Sequence, residues 1–159
     1  MKCVNVGLAP QLLNCFNPMR MHEGSITIHI AADVKEIERL NKLVRQFGEL
    51  HEVPSRALYA VNLALDELVT NVVLYGFEDA TGKQVAVRIA TKEGELVASV
   101  LDEGKPFDPL VVKSPDLNAP LEQRELGGLG IHLVRSLMDS VSYSRDADKN
   151  VLTIRKRIR

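Results

Sequence analysis

Glu67 and Asn71 stand four residues apart in the stretch RALYAVNLALDELVTNVVLY, Arg56 to Tyr75. On a helix that spacing stacks a carboxylate and a carboxamide one turn apart on a single face. Leu58, Val61, Leu65, Leu68, Val69, Val72 and Val73 cover most of the remaining surface, so the helix is expected to be buried on more than one side. Asn62, Asp66, Glu67 and Asn71 then lie in its interior, where polar side chains are costly unless something pairs with them. A hydrated hard cation and its ligand would satisfy Glu67 and Asn71. A polar stripe that meets solvent or caps a neighbouring loop would satisfy them equally well.

Two further stretches have the residue types for chemistry. In LDEGKPFDP, Leu101 to Pro109, a carboxylate stands at a strand end, placed to accept a proton from an exocyclic amine such as adenine presents, and Gly104 would let a base lie close to the backbone. The plain alternative is an Asp-x-Gly turn. In ELGGLGIHLV, Glu125 to Val134, Gly127, Gly128 and Gly130 open a helix and allow the backbone to approach an anion. The run is not a Walker A loop, because no Gly-Lys-Ser/Thr follows, and not a dinucleotide fingerprint, because no strand leads straight into it.

The elements that must position these residues follow from periodicity. Ser25 to Ala31 alternates as a strand with Ile26, Ile28 and Ile30 on one face. Asp33 is expected to cap a helix reaching Leu50, with Val34, Ile37, Leu40, Val44 and Phe47 at helical spacing, and Ser55 to cap the central helix after Pro54. Gln84 to Thr91 and Glu95 to Asp102 read as strands joined by a tight Lys92-Glu93-Gly94 hairpin. Asp102 to Gly130 is rich in Gly and Pro, and a loop of that length is usually functional, such as a lid over a ligand. Leu129 to Met138 forms a short helix, and Ser140 to Arg145 and Asn150 to Ile158 form strands around the turn Asp146-Ala147-Asp148-Lys149. The sum is an α/β two-layer sandwich, a mixed sheet of about five strands with three helices on one face. Residues 1–24 are expected to be an N-terminal extension and residues 25–159 one domain.

Composition narrows the function. A chain of 159 residues, 45% hydrophobic and 26% charged, is that of a globular protein able to bury a core. Trp is absent and aromatics are few, so the core must come from Leu, Val, Ile and Ala. A formal net charge of −1 argues against a general nucleic-acid binder, and the basic end Arg155, Lys156, Arg157, Arg159 reads as solubilising or protecting a terminal strand. Cys3 and Cys15 are the only cysteines, with no His–Cys spacing for zinc. No apolar run is expected to reach the length of a membrane span and the first residues lack the pattern of a secretory signal, so the expected location is the cytoplasm, away from any membrane. His29 and His51 are isolated, and His132 on the helix after the glycines is expected to be a surface or packing residue.

Taken in order, the three stretches resemble the ATP-binding fold shared by gyrase, MutL and histidine kinases, the GHKL or Bergerat fold. Glu67 to Asn71 looks like its N box, Asp102-x-Gly104 its first glycine box and Gly128-x-Gly130 its second, and Thr153 matches the threonine that family places near adenine. DEGKPFDP and GGLGIHLVRSLMDSVSY are most similar to the stand-alone branch, the anti-sigma factor serine kinases of sporulation and general-stress pathways. The resemblance covers about Ser25 to Arg159. It implies ATP or ADP as nucleotide, Asn71 as the Mg²⁺ ligand, Glu67 as the general base for an attacking serine hydroxyl, and Asp102 on adenine with Gly104 and Thr153 lining the base. Gly128 and Gly130 would serve the phosphates and the lid. It also implies a STAS-domain anti-sigma antagonist as phosphoacceptor, a sigma factor as second partner, and a homodimer. The chain departs from the pattern at Pro106, where many relatives have glycine, and at Leu126, where some have an arginine that Arg124 would have to replace. Two other functions are compatible with the same motifs: a nucleotide-bound module that switches partners without phosphotransfer, and a kinase in a cascade without a sigma factor.

Overall fold

Strict alternation of burial along the strands builds the sheet. Val85, Val87 and Ile89 of β2 (Gln84–Lys92) and Leu96, Ala98 and Val100 of β3 (Glu95–Asp102) are buried, while their neighbours point the other way. The protein's structure is a computed structural model that describes residues 24–111 and 129–158. Within them, β1 (Gly24–Ala31) precedes α1 (Glu36–Leu50) and α2 (Ser55–Asn71), and α3 (Leu129–Leu137) precedes β4 (Ser140–Asp146) and β5 (Lys149–Arg157). The sheet order is β1-β2-β3-β5-β4.

Every neighbouring pair is antiparallel, which corrects the expectation of a mixed sheet. The β4–β5 hairpin explains why. It returns β5 into the space between β3 and β4, so those two parallel strands, the ones α3 connects, never become neighbours. The β2–β3 turn is as expected: Glu93 and Gly94 both have positive φ, 53° and 78°, the geometry that matches the twist of a two-residue hairpin. Arg155, Lys156 and Arg157 of the basic end belong to β5, the last strand of the chain and an interior strand of the sheet. Arg155 pairs with Glu95 at 3.3 Å and Arg157 with Asp139 at 3.0 Å.

One register row, Ile28–Val87–Val100–Leu152–Tyr143, runs across all five strands on the helix side. Onto it packs α2, whose buried residues Ala57, Ala60, Val61, Ala64, Leu65 and Leu68 follow i, i+3, i+4 spacing. Contacts with α1, α3, β3 and β5 surround α2 on most sides. Ser55–Gly76 is, on length and composition alone, apolar enough to cross a membrane, with 22 residues at mean hydropathy 1.4, contrary to the expectation that no run approaches a span. Its apolarity is accounted for by this packing.

Both helix starts differ from expectation. Asp33 accepts a hydrogen bond from the Lys35 amide at 2.9 Å and so closes a turn ahead of α1, which begins at Glu36 without a side-chain cap. Ser55 is the first residue of α2 rather than its cap; Pro54 holds that place with extended backbone, and its carbonyl accepts from the Ala57 and Leu58 amides. The expected N-terminal extension lies outside the described residues.

Candidate functional site

The inward face of the sheet ends in polar residues. The parity that buries Val100 and Leu152 also puts Asp102 and Asn150, directly opposite each other in the β3–β5 register, on the helix side. Both are 6% exposed. Beside them lies a cavity of about 530 Å³, the size of small-ligand sites. Leu68, Val72, Val100, Ile131 and Leu152 make its apolar wall, Asn71, Asp102 and Asn150 are polar groups within it, and Tyr75 and Phe107 lie at its exposed rim.

Asp102 is held on one side only. Its Oδ1 accepts from the Gly104 amide and from Asn150 Nδ2, each at 2.8 Å, while Oδ2 takes no hydrogen bond among the described residues. Gly104 is required by close approach. A Cβ there would lie 2.4 Å from the Gly76 carbonyl oxygen and 2.7 Å from Asp102 Oδ1, and the next amide, Lys105, donates to that same carbonyl at 2.8 Å. Pro106 and Phe107 continue this segment along the cavity mouth, so the proline sits in the wall without removing any of these bonds.

The central helix delivers its polar residues in two directions. Asn62 and Asp66 turn toward α1, where burial pushes the Asp66 carboxyl above the usual carboxylate range, opposed by an Asn41 side-chain hydrogen bond and the Arg45 cation. The side-chain oxygens Asn41 Oδ1, Asn62 Oδ1 and Asp66 Oδ1 are buried there without a hydrogen-bond partner. Glu67 and Asn71 occupy the other stripe. Glu67 meets α3: a Cβ on Gly130 would fall 2.4 Å from Glu67 Oε2. Asn71 ends α2 and lines the cavity, and the chain then widens into a π-helical turn, Val72–Gly76, where a continuous α-helix to Tyr75 was expected. Such turns recur at functional sites because the extra residue re-aims the side chains around it.

The structure therefore gathers Asn71 and Asp102 at one cavity, with Gly104 bonded to Asp102 behind it and Glu67 and Gly130 together one helical turn away. It does not bring Thr153 there. Thr153 stands on the outer face, opposite Ser99, with their hydroxyls 2.8 Å apart. A strand turns successive side chains to opposite faces, so Leu152 and Thr153 cannot both reach the cavity. Gly128, with Arg124 and Leu126, lies outside the described residues. Asn150, missed by the sequence reading, takes the polar place on β5; the signal for it was the register that sets it against Asp102. Of the histidines, His132 lies half-buried on α3 outside the cavity lining, and His51 packs its ring against Phe47 at 4.3 Å.

Asn71 fits a Mg²⁺ role by the chemistry of its donor set. It offers a neutral side-chain oxygen at the cavity, a donor suited to an ion that takes its other ligands from phosphate and water.

A sheet with helices on one face and an apolar cleft at its polar end is an α/β layer architecture with a small-ligand site. The chain belongs to the histidine kinase-like ATPase domain family, whose model matches residues 30–156. Among its relatives, the serine/threonine-protein kinase BtrW of Bordetella bronchiseptica is 28% identical over 63% of this chain and 70% of its own. The anti-sigma F factor of Clostridium acetobutylicum is 30% identical over 61% and 67%. The serine-protein kinase RsbW of Bacillus mycoides is 29% identical over 58% and 59%, so the match spans less than two thirds of that relative. In structure, the chain is similar to the RsbU and RsbW domains of a Mycobacterium tuberculosis protein, with a TM-score of 0.60 at 18% identity over 84% of this chain and 32% of that one. It also resembles the histidine kinase domain of a blue-light activated kinase from Erythrobacter litoralis, with a TM-score of 0.52 at 17% identity over 81% and 64%. These likenesses establish the fold.

Proposed function

We propose that the protein is a Mg²⁺- and ATP-dependent protein-serine kinase and anti-sigma regulator. In this reading it phosphorylates a STAS-type antagonist and holds a sigma factor, works in the cytoplasm as a homodimer, and binds neither nucleic acid nor membrane directly. The observation that supports it most is the placement of Asp102. A buried carboxylate with one oxygen tied and the other unclaimed among the described residues stands in an apolar cleft at the end of the helix that bears Glu67 and Asn71. The names of the relatives point the same way.

In this mechanism Asp102 Oδ2 accepts the adenine amine, and the apolar walls take the faces of the base. Asn71 would hold Mg²⁺, which would neutralise phosphate charge when bound. The acceptor serine oxygen forms a bond to the γ-phosphorus as the bond to the ADP oxygen breaks. Glu67 takes the serine proton. Gly130, packed on Glu67, would serve the phosphates together with Gly128.

Incubation with γ-labelled ATP, Mg²⁺ and the host's STAS-domain proteins tests this directly. One acceptor should be labelled by the native chain, and Glu67→Ala should lower the rate by about two to four orders of magnitude, the usual worth of a general base. ATP binding with no labelled acceptor would instead favour a nucleotide-dependent partner-binding module.

A further inference from the structure

We propose that Asn150 is a positioning residue that sets which purines the cleft accepts, acting through Asp102. The inference rests on the reading that Asp102 meets the 6-amino group of adenine. Asn150 is buried, and its amide uses its full hydrogen-bonding capacity. Nδ2 donates to Asp102 Oδ1 at 2.8 Å and to the Lys105 carbonyl at 3.0 Å. Oδ1 accepts from the Tyr143 hydroxyl and from Arg145, each at 2.8 Å, and Arg145 also reaches the Gly104 carbonyl at 3.1 Å.

This arrangement has one stable orientation. Flipping the amide would set its oxygen against the Asp102 carboxylate and the Lys105 carbonyl, and its NH₂ against the Tyr143 and Arg145 donors. Fixed as it is, Asn150 fills the second acceptor site of Asp102 Oδ1, the first being taken by the Gly104 amide. The carboxylate can then neither rotate nor offer that oxygen, and Oδ2 is left as the fixed free acceptor of a residue that lines the cavity. A fixed acceptor selects a donor at the purine 6-position and meets a 6-oxo group acceptor to acceptor. Sites built to hydrogen-bond a substrate group discriminate strongly because a wrong partner leaves a buried group unpaired. Asn150 thus ties the ends of β3, β4 and β5 to the Gly104–Lys105 segment at the one atom that reads the base.

The test is the ratio of dissociation constants for ATP and inosine triphosphate, measured calorimetrically on the full chain with Mg²⁺. The native chain should prefer ATP by about a hundredfold or more. Asn150→Asp keeps the volume but replaces the donor by an acceptor, and should shrink that preference at least tenfold. Tyr143→Phe removes one of the four bonds and should shrink it by less, which keeps the test decisive if Asn150→Asp melts. Equal weakening of both nucleotides, or an unchanged ratio in folded variants, would overturn the proposal by giving Asn150 a merely structural role. A native chain that binds ATP without preferring it over inosine triphosphate would overturn the reading of Asp102 itself, and this proposal with it.

Discussion

Asp102 is a buried carboxylate and Asp66 a half-buried one, and their surroundings give them opposite tasks. Asp102 lines the cavity and takes two donors on Oδ1, leaving Oδ2 without a hydrogen bond among the described residues. Asp102→Asn should therefore weaken ATP binding by about 10- to 100-fold, the scale of a hydrogen bond to a charged group, while the melting temperature changes little. Asp66 has a burial cost that Asn41 and Arg45 only partly offset. Its folded pKa is raised, so the fold favours the protonated form. The stability this contributes is complete below the unfolded carboxylate range, near pH ~4, and is lost as pH rises through the folded value. Asp66→Asn should accordingly melt higher than the native chain at pH 7, with the gap closing as the pH is lowered toward that range. A constant gap across pH would show that packing, not ionisation, governs the site. Glu67 and Asn71 were legible from spacing alone. The fate of Asn62 and Asp66, which point to α1, was not, because helical periodicity gives relative angles and not the identity of the neighbour.

At the scale of elements, the cleft depends on where backbones touch. The Gly104 segment lies on Gly76 at the end of the π-helical turn, and a side chain at Gly104 would meet a carbonyl oxygen that cannot swing aside. Gly104→Ala should cost about 1–3 kcal/mol of stability and weaken ATP binding with it, checked by denaturant titration and calorimetry. Gly130 gives a contrast. Its nearest neighbour is the tip of Glu67, a flexible side chain, so Gly130→Ala should leave stability nearly unchanged but slow phosphotransfer by displacing the carboxylate. If both alanine variants destabilised the fold equally, the two contacts would have to be of one kind. The strands and their hairpins were readable from alternation and turn residues. The π-helical turn was not, since nothing in VVLYG distinguishes an i→i+5 from an i→i+4 turn until the Gly104 segment packs onto it.

For the whole molecule, the cavity opens where α2, α3 and the ends of three strands converge, so a bound nucleotide would touch elements far apart in the chain. A ligand that binds only the folded state stabilises it by mass action, and at about 100 times its dissociation constant Mg-ATP should add roughly 2.7 kcal/mol. Thermal melts with and without Mg-ATP check this, and no shift at saturating nucleotide would remove the nucleotide reading altogether. The helix Ser55–Gly76 also belongs at this scale. Its composition matches a membrane span, and only its enclosure by the sheet, α1 and α3 shows what that apolar surface covers.

The amino-acid sequence by itself determined the strands and the three α-helices to within a few residues, the apolar faces of β1 and β2, the stacked Glu67 and Asn71, and the positions of Asp102, Gly104 and Gly130, because period, turn chemistry and local spacing are written within a few residues. The tertiary structure alone decided the rest: β5 enters between β3 and β4, Thr153 faces outward, and Asn150 closes on Asp102. Strand pairing is long-range. A shift of one residue in register would set Lys149 or Val151 opposite Asp102 and turn Asn150 to the other face, and the partner of Asp102 is settled only when β3 and β5 are side by side.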